Sequence, residues 1–180
     1  MENFKEKLTR VEAFVFDVDG VFTDGGLVPL ADGDFVRTYH ARDGYAVTYA
    51  VSEGYSIYII TGGRGETLKR RFDMLKVTGF YPNVADKCAV LRELAEREGL
   101  NLANVVYMGD DIPDLGVMRM VGIPVCPADA CHEIIDTAIY VSQYAGGKGC
   151  VRDIIEQVLR AKGDWLKHTV GMHTVKEGEK

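Results

Sequence analysis

Short apolar runs alternate with amphipathic stretches along almost the whole chain, and this alternation limits the fold more than any other feature. Val11–Asp17 is rich in β-branched and aromatic residues and predicts a buried strand. Tyr55–Ile60, Gly79–Tyr81 and Val105–Met108 read the same way, with shorter strands at Ile123–Val125 and Ile139–Val141. Between them, Asp43–Glu53, Arg64–Leu75, Lys87–Glu98, Pro113–Val121 and Val151–Lys162 carry helix-like patterning. The stretch Leu27–Tyr39 interrupts the rhythm. Its two apolar flanks enclose Asp32-Gly33, a strong hairpin-turn signal.

Strands separated by helices predict an α/β fold, a Rossmann-like parallel sheet flanked by helices. The hairpin at about 25–40 follows strand one. Residues 1–162 are expected to form one core, and 163–180 a polar tail. A length of 180 residues suits a single domain with a sizeable core. The net charge of −6 argues against a nucleic-acid partner. No apolar run reaches the roughly 20 residues needed to span a bilayer, so no membrane partner is expected. Met1–Arg10 has no apolar leader core, and the four cysteines form neither a Cys-x-x-Cys pair nor a zinc pattern. A cytoplasmic location is the expectation. The four histidines read as surface residues.

Ligands in open α/β sheets bind at the carboxyl ends of the strands, and the chemically suggestive residues fall there. Asp17 and Asp19 follow strand one within Asp17-Val18-Asp19-Gly20-Val21-Phe22-Thr23-Asp24-Gly25. Crowded carboxylates favour a bound cation or a shared proton; a bare Asp-x-Asp would equally suit a solvated acidic turn. Thr61-Gly62-Gly63 follows the second buried strand, where a hydroxyl and free N–H groups suit a phosphoryl oxygen or a plain helix cap. Lys87 opens a helix and could neutralise phosphate or simply face solvent. Gly109-Asp110-Asp111-Ile112-Pro113-Asp114 could hold a hard divalent cation or complement a helix dipole.

Taken together and in this order, the Asp17-x-Asp19-Gly-Val-x-Thr-Asp-Gly segment, Thr61-Gly62, Lys87 and Gly109-Asp110-Asp111 resemble the four signature motifs of the haloacid dehalogenase superfamily of phosphatases. The resemblance covers about Val11 to Arg160. It implies that Asp17 is the nucleophile toward phosphorus and Asp19 the general acid and base. It implies that Thr61 and Gly62 hold the phosphoryl group and that Lys87 offsets its charge. Mg²⁺ would be held by the Asp17 carboxylate, the Asp19 carbonyl and the Asp110 carboxylate, with Asp111 behind them positioning Lys87 or a metal-bound water.

Gly25 to Thr61 spans only a hairpin, a helix and a strand, and Thr61 to Lys87 is shorter, so there is no room for a folded cap. The chain therefore resembles the capless branch, the octulosonate 8-phosphate phosphatase subfamily. Asp24-Gly25 with its hairpin, Asp43-Gly44, Arg71 ten residues after Thr61, and Gly146-Gly147-Lys148-Gly149-Cys150-Val151-Arg152 match it as well. One position departs: the subfamily commonly carries Arg after Thr-Gly, whereas Gly63 stands here, followed by Arg64. The resemblance implies a keto-deoxy sugar-acid phosphate as substrate, of eight or alternatively nine carbons, with Arg71 as the carboxylate binder. It further implies a homo-oligomer, a tetramer whose neighbouring subunit roofs each site. Trp165 and Leu166 in the tail are candidates for reaching that adjacent site. A non-catalytic oligomerisation module would have lost at least one of Asp17, Asp19, Thr61, Lys87 and Asp110, and a mutase would need a cap.

Overall fold

The computed structural model describes residues 3–167. Six parallel strands form one sheet: β1 (Ala13–Phe16), β4 (Ser56–Ile60), β5 (Gly79–Tyr81), β6 (Val105–Met108), β7 (Ile123–Cys126) and β8 (Tyr140–Val141). They run in the order β5-β4-β1-β6-β7-β8. A separate antiparallel pair, β2 (Val28–Pro29) and β3 (Phe35–Val36), makes the hairpin. The helices are α1 (Phe4–Leu8), α2 (Ala41–Ser52), α3 (Glu66–Leu75), α4 (Lys87–Glu98), α5 (Leu115–Met118), α6 (His132–Thr137) and α7 (Cys150–Lys162). No helix among the described residues is long and apolar enough to cross a membrane.

Alternation along β1 divides the core. Phe14 and Phe16 pack with α2, α3 and α7 on one face; Ala13 and Val15 pack with α4, α5 and α6 on the other. Both faces are covered, which is why the strand is apolar at every position. Phe16 pairs with Ile59 of β4 and Met108 of β6, so the carboxyl ends of these three strands lie side by side. The chain leaves β1 for one side of the sheet and crosses later to the other. This reversal opens a crevice at the end of β1.

β5, β6 and α4 have the limits expected from sequence. Two helices escape the hydrophobic pattern. α1 is opened by a capping box in which Asn3 accepts from Lys5 N while Glu6 accepts from Asn3 N, and it buries Leu8. The Asn3-x-x-Glu6 spacing is the signal that reveals it. α6 is a six-residue helix that buries Ile134.

The helix expected at Pro113–Val121 is instead a 3₁₀ turn, Ile112–Asp114, followed by α5 of four residues. Asp114 turns its side chain inward, and Gly122 N donates to Leu102 O at 2.8 Å to close the segment. The expected tail also begins later than Gly163. Tyr55 Oη donates to Asp164 Oδ2 at 2.7 Å, and Trp165 packs edge-on against Tyr49 beneath the Arg152 and Arg160 guanidinium groups. Trp165 is thus docked against α2 and α7. The rest of the expected tail, residues 168–180, lies outside the described residues.

Candidate active site

Asp17 is the first residue past β1 and is buried, with its N–H bonded to Met108 O at 3.0 Å. Asp110 lies two residues past β6, directly across from it. Gly20 makes the approach possible: a Cβ there would overlap the Asp110 carboxylate. Gly20 also has φ of +89°, which L side chains rarely adopt. The turn is braced from behind, since Gly147 N donates to Val21 O and a Cβ on Gly146 would strike the Gly20 carbonyl.

Lys87 opens α4, the wrong end of a helix dipole for a cation. It sits there because carboxylates hold it: Nζ is 2.7 Å from Asp114 Oδ1 and 3.0 Å from Asp17 Oδ1. The second contact is an ion pair without hydrogen-bond geometry. Asp114 is almost fully buried and also accepts from Tyr107 Oη at 2.6 Å and from Asp110 N at 3.2 Å. Asp111 is expected to position Lys87 or a metal-bound water. It is Asp114 that contacts Lys87, while Asp111 is exposed and lines the cleft.

Carboxylate oxygens of Asp17, Asp110 and Asp114 lie within 4.8 Å of one another. The Asp114 oxygens already accept three donors, so Asp17 and Asp110 are the pair with capacity for a ligand. Burial, then the neighbouring Asp114, raises the Asp17 carboxyl to about 7. Burial, then Asp17 and Asp114, raises Asp110 to about 8. Asp110 Oδ1 is buried and has no hydrogen-bond partner. An all-oxygen set carrying a buried, unsatisfied acceptor fits a hard divalent cation.

Thr61 is buried at the end of β4. Its Oγ1 accepts from Gly63 N at 3.0 Å, which leaves the hydroxyl hydrogen free to donate toward an oxygen in the cleft. A cavity of about 490 Å³ is lined by Asp17, Asp19, Thr61, Gly62, Lys87 and Asp110, together with Asp111 and Asp114.

Arg71 does not line this cleft. Its guanidinium lies over the Tyr39 ring at 5.1 Å and against Gly44, where a side chain would collide with it. Neighbouring Asp43 is buried and accepts from Arg152 N at 2.7 Å. The Asp43-Gly44, Arg71 and Gly149–Arg152 features therefore converge on one structural knot.

Sequence reasoning missed Arg37. It lies just past β3, and its side chain is 3% exposed. Nε and Nη2 donate to Asp19 Oδ1 and Oδ2 at 2.8 and 3.1 Å, a bidentate clamp on the second aspartate. Gly63 makes room for it: a Cβ there would lie 3.1 Å from Arg37 Nη2 and 3.2 Å from Asp19 Oδ2. No local pattern marks a lone Arg on a hairpin.

A family profile described as haloacid dehalogenase-like hydrolase matches residues 75–154. The 3-deoxy-D-manno-octulosonate 8-phosphate phosphatase of Escherichia coli K12 is 34% identical over 157 residues, 87% of this chain and 84% of that protein. The Moraxella catarrhalis phosphatase of the same name, solved with a magnesium ion, a phosphate ion and a KDO molecule, superposes with a TM-score of 0.86 at 27% identity. It covers 90% of this chain and 93% of that one. The cobalt-bound Haemophilus influenzae enzyme gives 0.86 at 28% identity, covering 91% and 96%. With the Asp17 turn, the threonine, the lysine and the paired carboxylates gathered at three adjacent strand ends, this chain belongs to the haloacid dehalogenase-like hydrolases, in the branch of the 3-deoxy-D-manno-octulosonate 8-phosphate phosphatases.

Proposed function

We propose that this protein is a Mg²⁺-dependent phosphoric monoester hydrolase that cleaves 3-deoxy-D-manno-octulosonate 8-phosphate through an aspartyl-phosphate on Asp17, in surface-sugar biosynthesis. The observation that carries this reading is the buried Asp17/Asp110 pair facing the Thr61 hydroxyl and the Lys87 ammonium across one cleft. Bound Mg²⁺, held by the carboxylates of Asp17 and Asp110 and the carbonyl of Asp19, would neutralise charge on the transferring phosphoryl group. An Asp17 oxygen attacks phosphorus while the bond to the sugar oxygen breaks, and Asp19 delivers its proton to that oxygen. Asp19 then takes a proton from water as the water attacks the same phosphorus, which frees Asp17. Thr61 and the Gly62 backbone orient the phosphoryl oxygens, and Lys87 balances their charge.

Phosphate release should be measured across eight- and nine-carbon keto-acid phosphates, with and without Mg²⁺. The eight-carbon ester should be the preferred substrate. Full activity in excess chelator would refute the metal-dependent reading, and preference for a nine-carbon ester would move the substrate assignment.

The response of the site to pH gives a second test. With folded values raised to about 7 and about 8, the metal-free native state holds protons on Asp17 and Asp110 that the unfolded chain has lost above its ordinary carboxylate range. Stability of the metal-free protein therefore falls as pH rises from about 4 toward 8 at these two groups. Below pH 7 a cation must displace those protons. Mg²⁺ should raise the melting temperature more at pH 8 than at pH 6, and an equal shift at both would contradict this account.

The reading includes a homotetramer, with hairpins meeting between copies. Leu27, Val28, Leu30 and Val36 are exposed on this two-stranded unit, and Val28 is 62% exposed. A hairpin this short is marginal alone in water, and contiguous exposed apolar side chains of this kind mark contact surfaces. V28D and V36D should dissociate the assembly in sedimentation experiments and lower turnover of the sugar phosphate. A fully active wild-type monomer at micromolar concentration would defeat this part. The described cysteines are all free thiols, which supports a reducing, cytoplasmic setting.

A further inference from the structure

The Arg37 clamp has a consequence for how the site responds to its substrate. Arg37 engages both oxygens of Asp19. Both oxygens of Asp19 are thus turned onto the guanidinium, and Oδ1 is also within 3.5 Å of Thr23 Oγ1, so the carboxylate is held toward the hairpin. Arg37 itself is only partly satisfied: Nη1 is buried without a hydrogen-bond partner. A buried guanidinium N–H left unpaired is costly, and a second anion would satisfy it.

The space for such an anion adjoins the clamp. A second cavity of about 300 Å³ shares Asp19, Gly62 and Gly63 with the catalytic cleft and is otherwise lined by Leu27, Phe35, Arg37, Arg64 and Asn83. Two guanidinium groups line it, and Asp19 is its only carboxylate. Gly63 keeps the boundary between the two cavities free of any side chain. A substrate with its phosphoryl group in the cleft can extend its far end across Gly63 toward Arg37.

The hairpin that carries Arg37 is anchored independently of Asp19. Asp34, at the foot of the turn, accepts from Thr67 N at 3.0 Å at the start of α3, and Thr67 Oγ1 donates to Phe35 O at 3.3 Å. Arg37 can therefore exchange one anion for another without the hairpin coming away.

We propose that Arg37 is a positioning residue that restrains Asp19 until the carboxylate of a sugar-acid phosphate occupies the adjoining cavity and draws the guanidinium onto itself, freeing Asp19 to take up a proton from solvent and pass it to the leaving oxygen. The proposal rests on the reading of Asp19 as the proton donor. Recognition of the substrate's second anion and release of the catalytic acid become one event, which discriminates against phosphate monoesters that lack a carboxylate.

The test is R37M, which keeps most of the side-chain volume and removes the charge, compared with wild type in the presence of Mg²⁺. kcat/KM is measured for the keto-acid phosphate, for a hexose 6-phosphate without a carboxylate, and for aryl phosphates of graded leaving-group pKa. For the keto-acid phosphate it should fall about 10–100-fold, the scale of a lost charged hydrogen bond. For the hexose phosphate it should hold or rise, and the dependence on aryl leaving-group pKa should become shallower as Asp19 is freed. A merely structural role would lower all substrates alike and leave that slope unchanged; this result overturns the proposal. Should R37M fail to fold, R37K decides. Its compact ammonium lacks the planar fork that grips Asp19 at two points, so the slope should again flatten while part of the carboxylate preference survives, and an unchanged slope overturns the clamp. A wild-type protein that hydrolyses none of these esters with Mg²⁺ would instead refute the phosphatase reading itself.

Discussion

Asp17→Asn should cut turnover by about a thousandfold or more, the scale seen when a covalent nucleophile is removed, while making the metal-free protein more heat-stable at pH 8. The first effect follows because an amide does not form the acyl phosphate. The second follows from the setting of the side chain. Asp17 is buried beside Asp114 and Asp110, and its folded pKa of about 7 lies above the ordinary carboxylate range. Its ionised form is thus a net burden on the native state once pH exceeds that value, and Asn removes it. Lys87 keeps its hydrogen bond to Asp114 in the variant. At pH 5, where the native carboxyl holds its proton, the stability gain should shrink. Phosphate release and thermal melts at the two pH values check both halves. An active Asp17→Asn variant would remove the covalent mechanism, and a destabilised one would show that the Asp17–Lys87 attraction outweighs burial.

Asp114→Ala should produce the largest loss of stability of any single change at the site. Its carboxylate accepts from Lys87 Nζ, Tyr107 Oη and Asp110 N, all in the interior. Removing it leaves Tyr107 Oη and Asp110 N short of an acceptor and Lys87 with Asp17 alone. Breaking a buried ion pair from one side costs roughly 3–5 kcal/mol. For a chain of this size that is a fall of about 10 °C or more in melting temperature. The opposing effect is relief of repulsion toward Asp17 and Asp110. Measuring in saturating Mg²⁺ removes that term, because the cation already offsets those charges. Activity should fall about 10–100-fold as Lys87 loses its orientation, the usual scale for outer partners of a metal site. A variant melting within a degree of wild type would show that Asp114 does not hold the lysine.

Much of this was legible in the chain because it is locally encoded. The apolar runs at Gly79–Tyr81 and Val105–Met108 and the amphipathic Lys87–Glu98 have the limits in the fold that their patterns indicate. Asp17, Asp19, Thr61 and Asp110 closely follow apolar strands, and a parallel sheet aligns strand ends, so their convergence was readable from the chain alone. Short elements were not legible: α6 has six residues, too few for a periodicity to emerge. The expected Pro113–Val121 helix fails for a tertiary reason, since Asp114 is drawn inward by Lys87, 27 residues earlier, and the chain bends to allow it.

The partnerships of charged groups belong entirely to the tertiary structure. Asp111 and Asp114 look alike as acidic residues near a helix start, and only packing decides that Asp114 meets Lys87 and Tyr107 while Asp111 stays exposed in the cleft. Arg71, read as a sugar-acid binder, lies over Tyr39 and Gly44 in this chain. Gly63 stood out in the sequence as a missing side chain, and in the fold it lies against Arg37 from the hairpin, Asp19 and Leu68, where a Cβ would be tight. Period and turn chemistry act over a few neighbouring residues, so the sequence by itself determined the sheet, the order of its elements and which residues stand at its active edge. Ion pairs form between residues brought close by folding, so only the tertiary structure decided which carboxylate holds the lysine, which arginine holds Asp19, and what room each glycine keeps open.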